Sequence, residues 1–467
     1  MNAASVAGSV ASMVMSQALA LGGGKASAPA HAKHLVLDGR IIASTDNARL
    51  AVGTVKKHTA NPLFREDKPW EPRFDNLYAN VLYDEQDKRY KCWYSPFIVD
   101  KAASETPRAE RSRVPYRSRG REMGVCYAVS KDGLKWEKPE LGLVEFGGSK
   151  ANNLVVRGPH GAGVFRDPHE ADPARRYKMF YRGAGMCVRF SADGLRWGEE
   201  IRCPQIAARG DTHNNALWWP ERGKYVGITR LWKGQRIVGR TESSDFRQWT
   251  KAVEVLRGDK DNQTYAMPVF RHAGVFLGLL MVFRPRPNRV HCELTWSPDT
   301  ITWHRIDKGT PLIANSRKKG AYDWGCVYAA AYPVFLDGEI RLYYGASNGT
   351  HHGWRDGFLA LATLRGDGFA GYEPADATKP ATVVTRPLAC SGRTLRITAD
   401  AKGGAVRVTV LDADGKPAAT GQPISDNVTD AAVVLRPREG LSKLRGSRIR
   451  LKFELTKAKL YAFAFGD

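Results

Sequence analysis

Ser130-Lys131-Asp132-Gly133-Leu134-Lys135-Trp136 recurs down the chain as Ser191-Ala192-Asp193-Gly194-Leu195-Arg196-Trp197. It returns in altered form as Ser243-Ser244-Asp245-Phe246-Arg247-Gln248-Trp249 and as Ser297-Pro298-Asp299-Thr300-Ile301-Thr302-Trp303. Arg365-Gly366-Asp367-Gly368-Phe369 is a fifth, weakest copy. Self-similarity at a regular period marks a repeat architecture, and copies roughly 50 to 60 residues apart suit one four-stranded propeller blade with its loops. An alternating strand precedes each copy, Asp-Gly makes a tight turn, and the Trp opens the next strand, where it can pack between blades. Upstream of each copy lies a strand pair: 80–84 with 90–94, 162–165 with 177–181, 215–219 with 225–229, 267–270 with 277–280 and 332–335 with 340–344. Little in the chain reads as helix. Five units predict an all-β fold with a five-bladed β-propeller over residues 35–384.

From about Thr385 the repeat stops. Short alternating runs follow, at 395–398, 406–410, 432–435, 449–453 and 460–463, separated by turns such as Asp412-Ala413-Asp414-Gly415. This pattern predicts a β-sandwich over residues 385–467. Residues 1–34 form a third segment. Val6–Leu21 is apolar and small, and Ala-x-Ala patterns follow it, as in a secretory signal that lacks its basic start. The expected location is therefore secreted or periplasmic. No later run is long and apolar enough for a transmembrane helix.

The net charge of +23 over 467 residues calls either for an anionic partner or for an arginine-rich proteome. No helix-turn-helix, zinc-finger spacing or RNP-type motif accompanies it, so nucleic acid is not the expected partner. If the charge serves an anionic glycan, positive side chains should gather at one channel mouth. Arg108, Arg111, Arg113, Arg117, Arg119 and Arg121 crowd the insertion in blade one, as either a solvated loop or a clamping rim. The seven Cys include no CxxC and sit mostly in apolar strands, which favours buried free thiols.

The repeat, the segment Phe165-Arg166-Asp167-Pro168 and the tail from Val408 to Gly415 ending in Lys459–Phe463 together resemble the five-bladed glycoside hydrolases of families 32, 43, 62 and 68, with a family 32-like sandwich. The resemblance is architectural and spans nearly the whole chain beyond the signal-like segment. It implies a glycosidase acting on a furanoside-containing or acidic glycan. It implies no cofactor, although a central histidine can hold a water or a structural Ca²⁺ in this architecture. No zinc-type spacing supports a catalytic metal. Glycoside cleavage needs two carboxyl groups flanking the scissile bond, and the resembled enzymes carry a third, all from innermost strands.

Asp75, Asp167 and Asp211 are read as lying just before the first strand pairs of blades one, two and three, so that they should converge at one end of the channel, and are the expected catalytic set. Asp75 stands in Trp70-Glu71-Pro72-Arg73-Phe74-Asp75-Asn76, where Glu71 competes for the nucleophile or base role and Trp70 and Asn76 would touch sugar. Asp167, with Arg166, matches the Arg-Asp-Pro motif whose Asp binds sugar hydroxyls. It also opens a loop rich in turn formers. Asp211 stands where these families place a Glu acid, with His213 and Asn214 beside it. Glu293, in His291-Cys292-Glu293-Leu294, competes for the acid role, and Glu339 does so more weakly. Asp323 and Trp324 before blade five, and His351 after it, would line the channel. The alternatives are a glycoside phosphorylase and a carbohydrate-binding propeller without chemistry.

Overall fold

A computed structural model describes residues 33–466, so residues 1–32 of the signal-like segment lie outside the described residues. The fold is all-β: a five-bladed propeller followed by a β-sandwich. Blades two and three are four-stranded sheets ordered from the axis outward as His160–Arg166, Tyr177–Gly183, Gly185–Ser191, Ile201–Arg202, and Asn215–Trp219, Lys224–Trp232, Arg236–Ser243, Val253–Arg257. Blade one runs from Asn80–Asp84 through Arg89–Tyr94 and Arg121–Ser130 to Trp136–Glu137. Blades four and five merge into one sheet through a single parallel pairing, Val290 with Cys326.

The repeated heptapeptide is the turn between the third and fourth strands. In the first copy Asp132 Oδ1 accepts the N–H groups of Leu134 and Lys135, both at 2.8 Å, and Ser130 Oγ accepts that of Gly133 at 2.8 Å. The residue after the Asp has positive φ: 74° and 76° at Gly133 and Gly194, but also 63° at Phe246 and 62° at Thr300. The altered copies therefore keep the turn and accept left-handed strain that glycine avoids. Each turn is also an inter-blade contact. Gly133 O accepts from Tyr343 of blade five at 2.9 Å, and Gly194 O accepts from Trp93 of blade one at 2.6 Å.

The fifth copy differs. After Gly357–Arg365 the chain leaves the propeller, and the outer edge of blade five is supplied by Lys56–Lys57 and Phe64–Arg65, which closes the ring with residues that precede blade one. Asp367 instead pins the two domains together. It meets Lys33 Nζ at 2.7 Å, His272 Nε2 at 3.1 Å and Thr398 Oγ1 at 3.3 Å.

The boundaries expected at 34/35 and 384/385 are not those of the sheets. Lys33–Leu35, Ile42–Asp46, Ala48–Val52, Ala370–Pro374 and Ala381–Thr385 all pair into the sandwich. Their partners are the C-terminal strands Lys459–Gly466 and Arg448–Thr456, directly or through one another. The sandwich core gathers Ile397, Val408, Leu451, Phe453 and Phe463 from alternate positions of both sheets. The run expected at 432–435 is split between Val428–Ala432 and Leu435–Arg436. All seven cysteines are free and buried. No helix among the described residues is long and apolar enough to cross a membrane.

Candidate active site

Every innermost strand starts at the same end of the channel, so the residues just before these strands share one mouth. Blade two reaches it with His160 and blade three with Asp211. Glycine makes their meeting possible: a Cβ on Gly161 would fall 1.6 Å from Thr212 O, so the two backbones touch where no side chain fits. Gly210, at φ 61°, turns the chain into Asp211. As a result His160 Nε2 lies 2.8 Å from Asp211 Oδ1, and Arg230 Nη1 lies 3.4 Å from Oδ2. Burial alone would raise the Asp211 carboxyl, but His160 and Arg230 outweigh it and hold it far below the usual carboxylate range.

Asp75 faces the same mouth from blade one. It is clamped by Arg355 and, at 3.3 Å, by Arg73. Burial pushes this carboxyl up, and the two guanidinium groups outweigh that and hold it well below its ordinary value. Three non-glycine residues within four positions have positive φ here: Asp75 at 57°, Leu77 at 64° and Tyr78 at 45°. Such conformations cost on the order of 1 kcal/mol each and gather at functional sites. Asn76 ties the strained segment to the floor. Its Nδ2 donates to Tyr78 OH at 2.6 Å and to Tyr265 OH at 2.9 Å, and its Oδ1 accepts from Arg355 at 3.0 Å.

The floor is aromatic. The Tyr265 and Tyr328 rings lie 5.5 Å apart, Tyr78 and Tyr328 6.5 Å, and Tyr78 and His213 5.4 Å. His213 is buried on the axis, 3.1 Å from Asn80 Oδ1, and burial lowers its pKa to about 3, so it is neutral. His351 Nδ1 meets Tyr328 OH at 2.9 Å, and burial likewise pushes this histidine well below its usual value. The Arg230 guanidinium sits 4.3 Å from the centre of the Tyr265 ring. An unbroken chain of contacts thus links Asp75, Arg355, Asn76, Tyr265, Arg230 and Asp211.

Several expected site residues lie elsewhere. Asp167 follows the far end of the His160–Arg166 strand, roughly 20 Å from the mouth at about 3.3 Å per residue. It is a buried buckle between blades two and three: Oδ2 accepts from Tyr225 OH at 2.6 Å and lies 3.1 Å from Lys178 Nζ, both ion-pair side chains being 0% exposed. Blade one repeats the arrangement with Asp84, which takes Lys91 Nζ at 2.8 Å and Tyr177 OH at 3.3 Å. Arg166 lies at that same far end, beside Gln86.

Glu71 is sealed behind Tyr94 and Lys138, both at 2.6 Å, and Trp70 Nε1 is spent on Asn153 at 2.7 Å. Glu293 is enclosed in blade four by His291 and Arg305. Asp323 is buried against Lys57 and Tyr344, and Trp324 lies under Arg289. Asn214 spends its amide on the Gly161, Gly210 and Thr212 carbonyls and is a structural peg. Of the residues expected from the sequence, Asp75, Asn76, Asp211, His213 and His351 lie together at this mouth. Sequence reasoning missed His160, Arg230, Tyr265, Tyr328 and Arg355. Among the described residues, no cluster of three or more His, Cys, Asp or Glu could hold a metal ion.

Glu66 stands directly behind Asp75. Its Oε1 accepts the N–H groups of Phe74 at 2.9 Å and Gly357 at 3.0 Å, and burial pushes its pKa up from 4.5 to about 7. The folded state therefore keeps a proton between pH 4.5 and 7 that the unfolded chain releases. This group's contribution to stability is intact below pH 4.5 and lost as pH rises to 7. Glu66→Gln keeps the acceptor and removes the titration. Denaturant melts should show the variant more stable than the parent by up to about 3 kcal/mol at pH 8, with the gap closing at pH 4.5. An unchanged gap across that range contradicts the assignment.

No protein-family profile and no curated protein matches the chain. Among solved structures it is similar to β-1,2-mannobiose phosphorylase from Listeria innocua, at 15% identity and TM-score 0.45, covering 67% of this chain and 97% of that one. It is also similar to an N-acetylgalactosamine deacetylase from F. plautii, at 14% identity and TM-score 0.43, covering 68% and 96%. A third is a glycosyl hydrolase from Bacteroides ovatus, at 14% identity and TM-score 0.42, covering 67% and 94%.

Proposed function

We propose that the protein is a carbohydrate-active enzyme, a glycoside hydrolase acting at this mouth on a furanoside-containing or acidic glycan. The observation that carries the reading is the pairing of two ionised carboxylates, Asp75 and Asp211, from different blades above one tyrosine floor. A carboxylate held as low as Asp75 is a weak base, which suits attack on an anomeric carbon or stabilisation of an oxocarbenium-like state rather than proton abstraction. The Asp211–His160 pair, joined at 2.8 Å, is assigned as the proton donor to the leaving glycosidic oxygen.

With Asp75 as nucleophile the course is a double displacement, and the stereochemistry of the released sugar tests it: retention is expected, and inversion removes Asp75 as nucleophile. Asp75 bonds to the anomeric carbon as the leaving oxygen takes the proton from the pair. Water next adds to that carbon, its proton returns to the pair, and Asp75 is released.

Phosphorolysis is a second reading, favoured by the arginines and His351 around Asp75. Incubating the full chain with neutral, sulfated and uronate-bearing oligosaccharides, with and without inorganic phosphate, tests both. New reducing ends without phosphate are expected. Sugar 1-phosphate formed only with phosphate favours the second reading. Binding without any cleavage sinks both and leaves a binding propeller.

A further inference from the structure

Beside Asp211 the mouth opens into a pocket lined by Arg182, Gly183, Gly185, Arg209 and Asp211, on the rim of blades two and three. Beyond Arg209, outside the pocket lining, lies Trp232, which is 45% exposed although large and apolar. An exposed indole offers a sugar an apolar face to stack on. Arg209 and Arg236 flank the Trp232 ring, with guanidinium carbons 6.0 and 5.8 Å from the ring centre. Among the described residues neither of these arginines, nor Arg182, pairs with a carboxylate. Arg236 donates Nη1 to Gln263 at 2.8 Å and leaves its Nε with no acceptor. The pocket's own carboxylate, Asp211, already has Arg230 as a counter-ion at 3.4 Å. Arg182 and Arg209 therefore leave the pocket net positive, next to Asp211 and within reach of the exposed Trp232.

The geometry points to a subsite here for an acidic sugar, one bearing a sulfate or carboxylate, stacked on Trp232 with its anion held by Arg182, Arg209 and Arg236. The inference rests on the mouth being a glycan site and extends it to the chemistry of the neighbouring sugar. Planar guanidinium forks match carboxylate and sulfate oxygens in pairs, and the sugar's apolar face covers the indole.

The test is calorimetric binding by the full chain of a sulfated galactan oligosaccharide and an oligogalacturonate, each against its desulfated or carboxyl-reduced form, with inorganic phosphate alone as a further arm. The charged forms should bind at least about tenfold more tightly at low salt and lose affinity as salt rises. Arg182→Ala with Arg209→Ala, and Arg236→Ala separately, should weaken that binding roughly ten- to hundredfold. Arg407→Ala, an exposed arginine of the sandwich, should leave it unchanged. Equal affinity for charged and neutralised forms overturns the proposal, as does an equal loss with Arg407→Ala. Phosphate that competes at low millimolar concentration, with glycan charge irrelevant, also overturns it and assigns the pocket to a free anion. Cleavage of a neutral glycan without charge preference removes this subsite and leaves the hydrolase reading. Charge-selective binding without cleavage does the reverse.

Discussion

Asp75→Ala should lower turnover roughly a thousandfold, and sodium azide should restore a measurable part of it as glycosyl azide. The size follows from the proposed role of Asp75, which is to meet developing positive charge at the anomeric carbon. Azide rescue separates chemistry from architecture, because a small anion can replace a missing nucleophile but cannot rebuild a fold. The architecture will suffer too. Arg355 is fully buried and Arg73 nearly so, and their shared counter-ion is Asp75. Leaving two buried guanidinium groups short of a partner costs about 3 kcal/mol. Kinetics must therefore be normalised to the folded fraction in denaturant melts. Turnover that survives in the folded fraction removes Asp75 from the chemistry.

Asp167→Asn should do the opposite: destabilise by about 3 kcal/mol and leave turnover of the folded fraction within about twofold. Asp167 and Lys178 are both wholly buried, and deleting one member of such a pair strands the other. Glu170, 2.9 Å from Lys178, keeps the loss at the lower end of the usual range. Asp167→Asn combined with Lys178→Met should recover much of the stability, since an apolar pair avoids the desolvation of both charges. A fully stable but inactive Asp167→Asn protein would return the residue to the catalytic set.

The propeller was legible because its turns are chemical and local. Ser130 and Asp132 satisfy their own backbone within five residues, and the requirement survives as Ser-x-Asp even where Phe246 or Thr300 replaces glycine. Ring closure was not legible. Lys56–Lys57 and Phe64–Arg65 are two-residue edge strands, too short for any alternation to show, and the sandwich strands before them pair with residues hundreds of positions away.

The site divided along the same line. Asp75 and Asp211 could be found because each precedes a recognisable inner strand. His160, Arg230 and Arg355 are single residues on three blades, joined only by the fold. Asp167 stood out through a tripeptide match, although a repeat that bears on it was already in view. Asp84 and Asp167 each end or follow an inner strand, and each is followed by a second strand containing Tyr-Lys: Tyr90-Lys91 and Tyr177-Lys178. That recurrence signals an inter-blade brace, not a unique catalytic residue. Trp232 and its arginines sit on a hairpin and a loop with no periodic signature, so only their exposure in three dimensions reveals them.

The two ends of the channel make rival claims, Asp75 and Asp211 at one and Arg166 and Asp167 at the other. A crystal structure of the Asp75→Asn protein soaked with an oligosaccharide from the screen decides between them. The expected result is a sugar bound at the mouth, with its anomeric carbon facing residue 75 and its glycosidic oxygen within hydrogen-bond reach of the Asp211–His160 pair. A sugar bound instead at the far end, against Arg166 and Asp167, would contradict it.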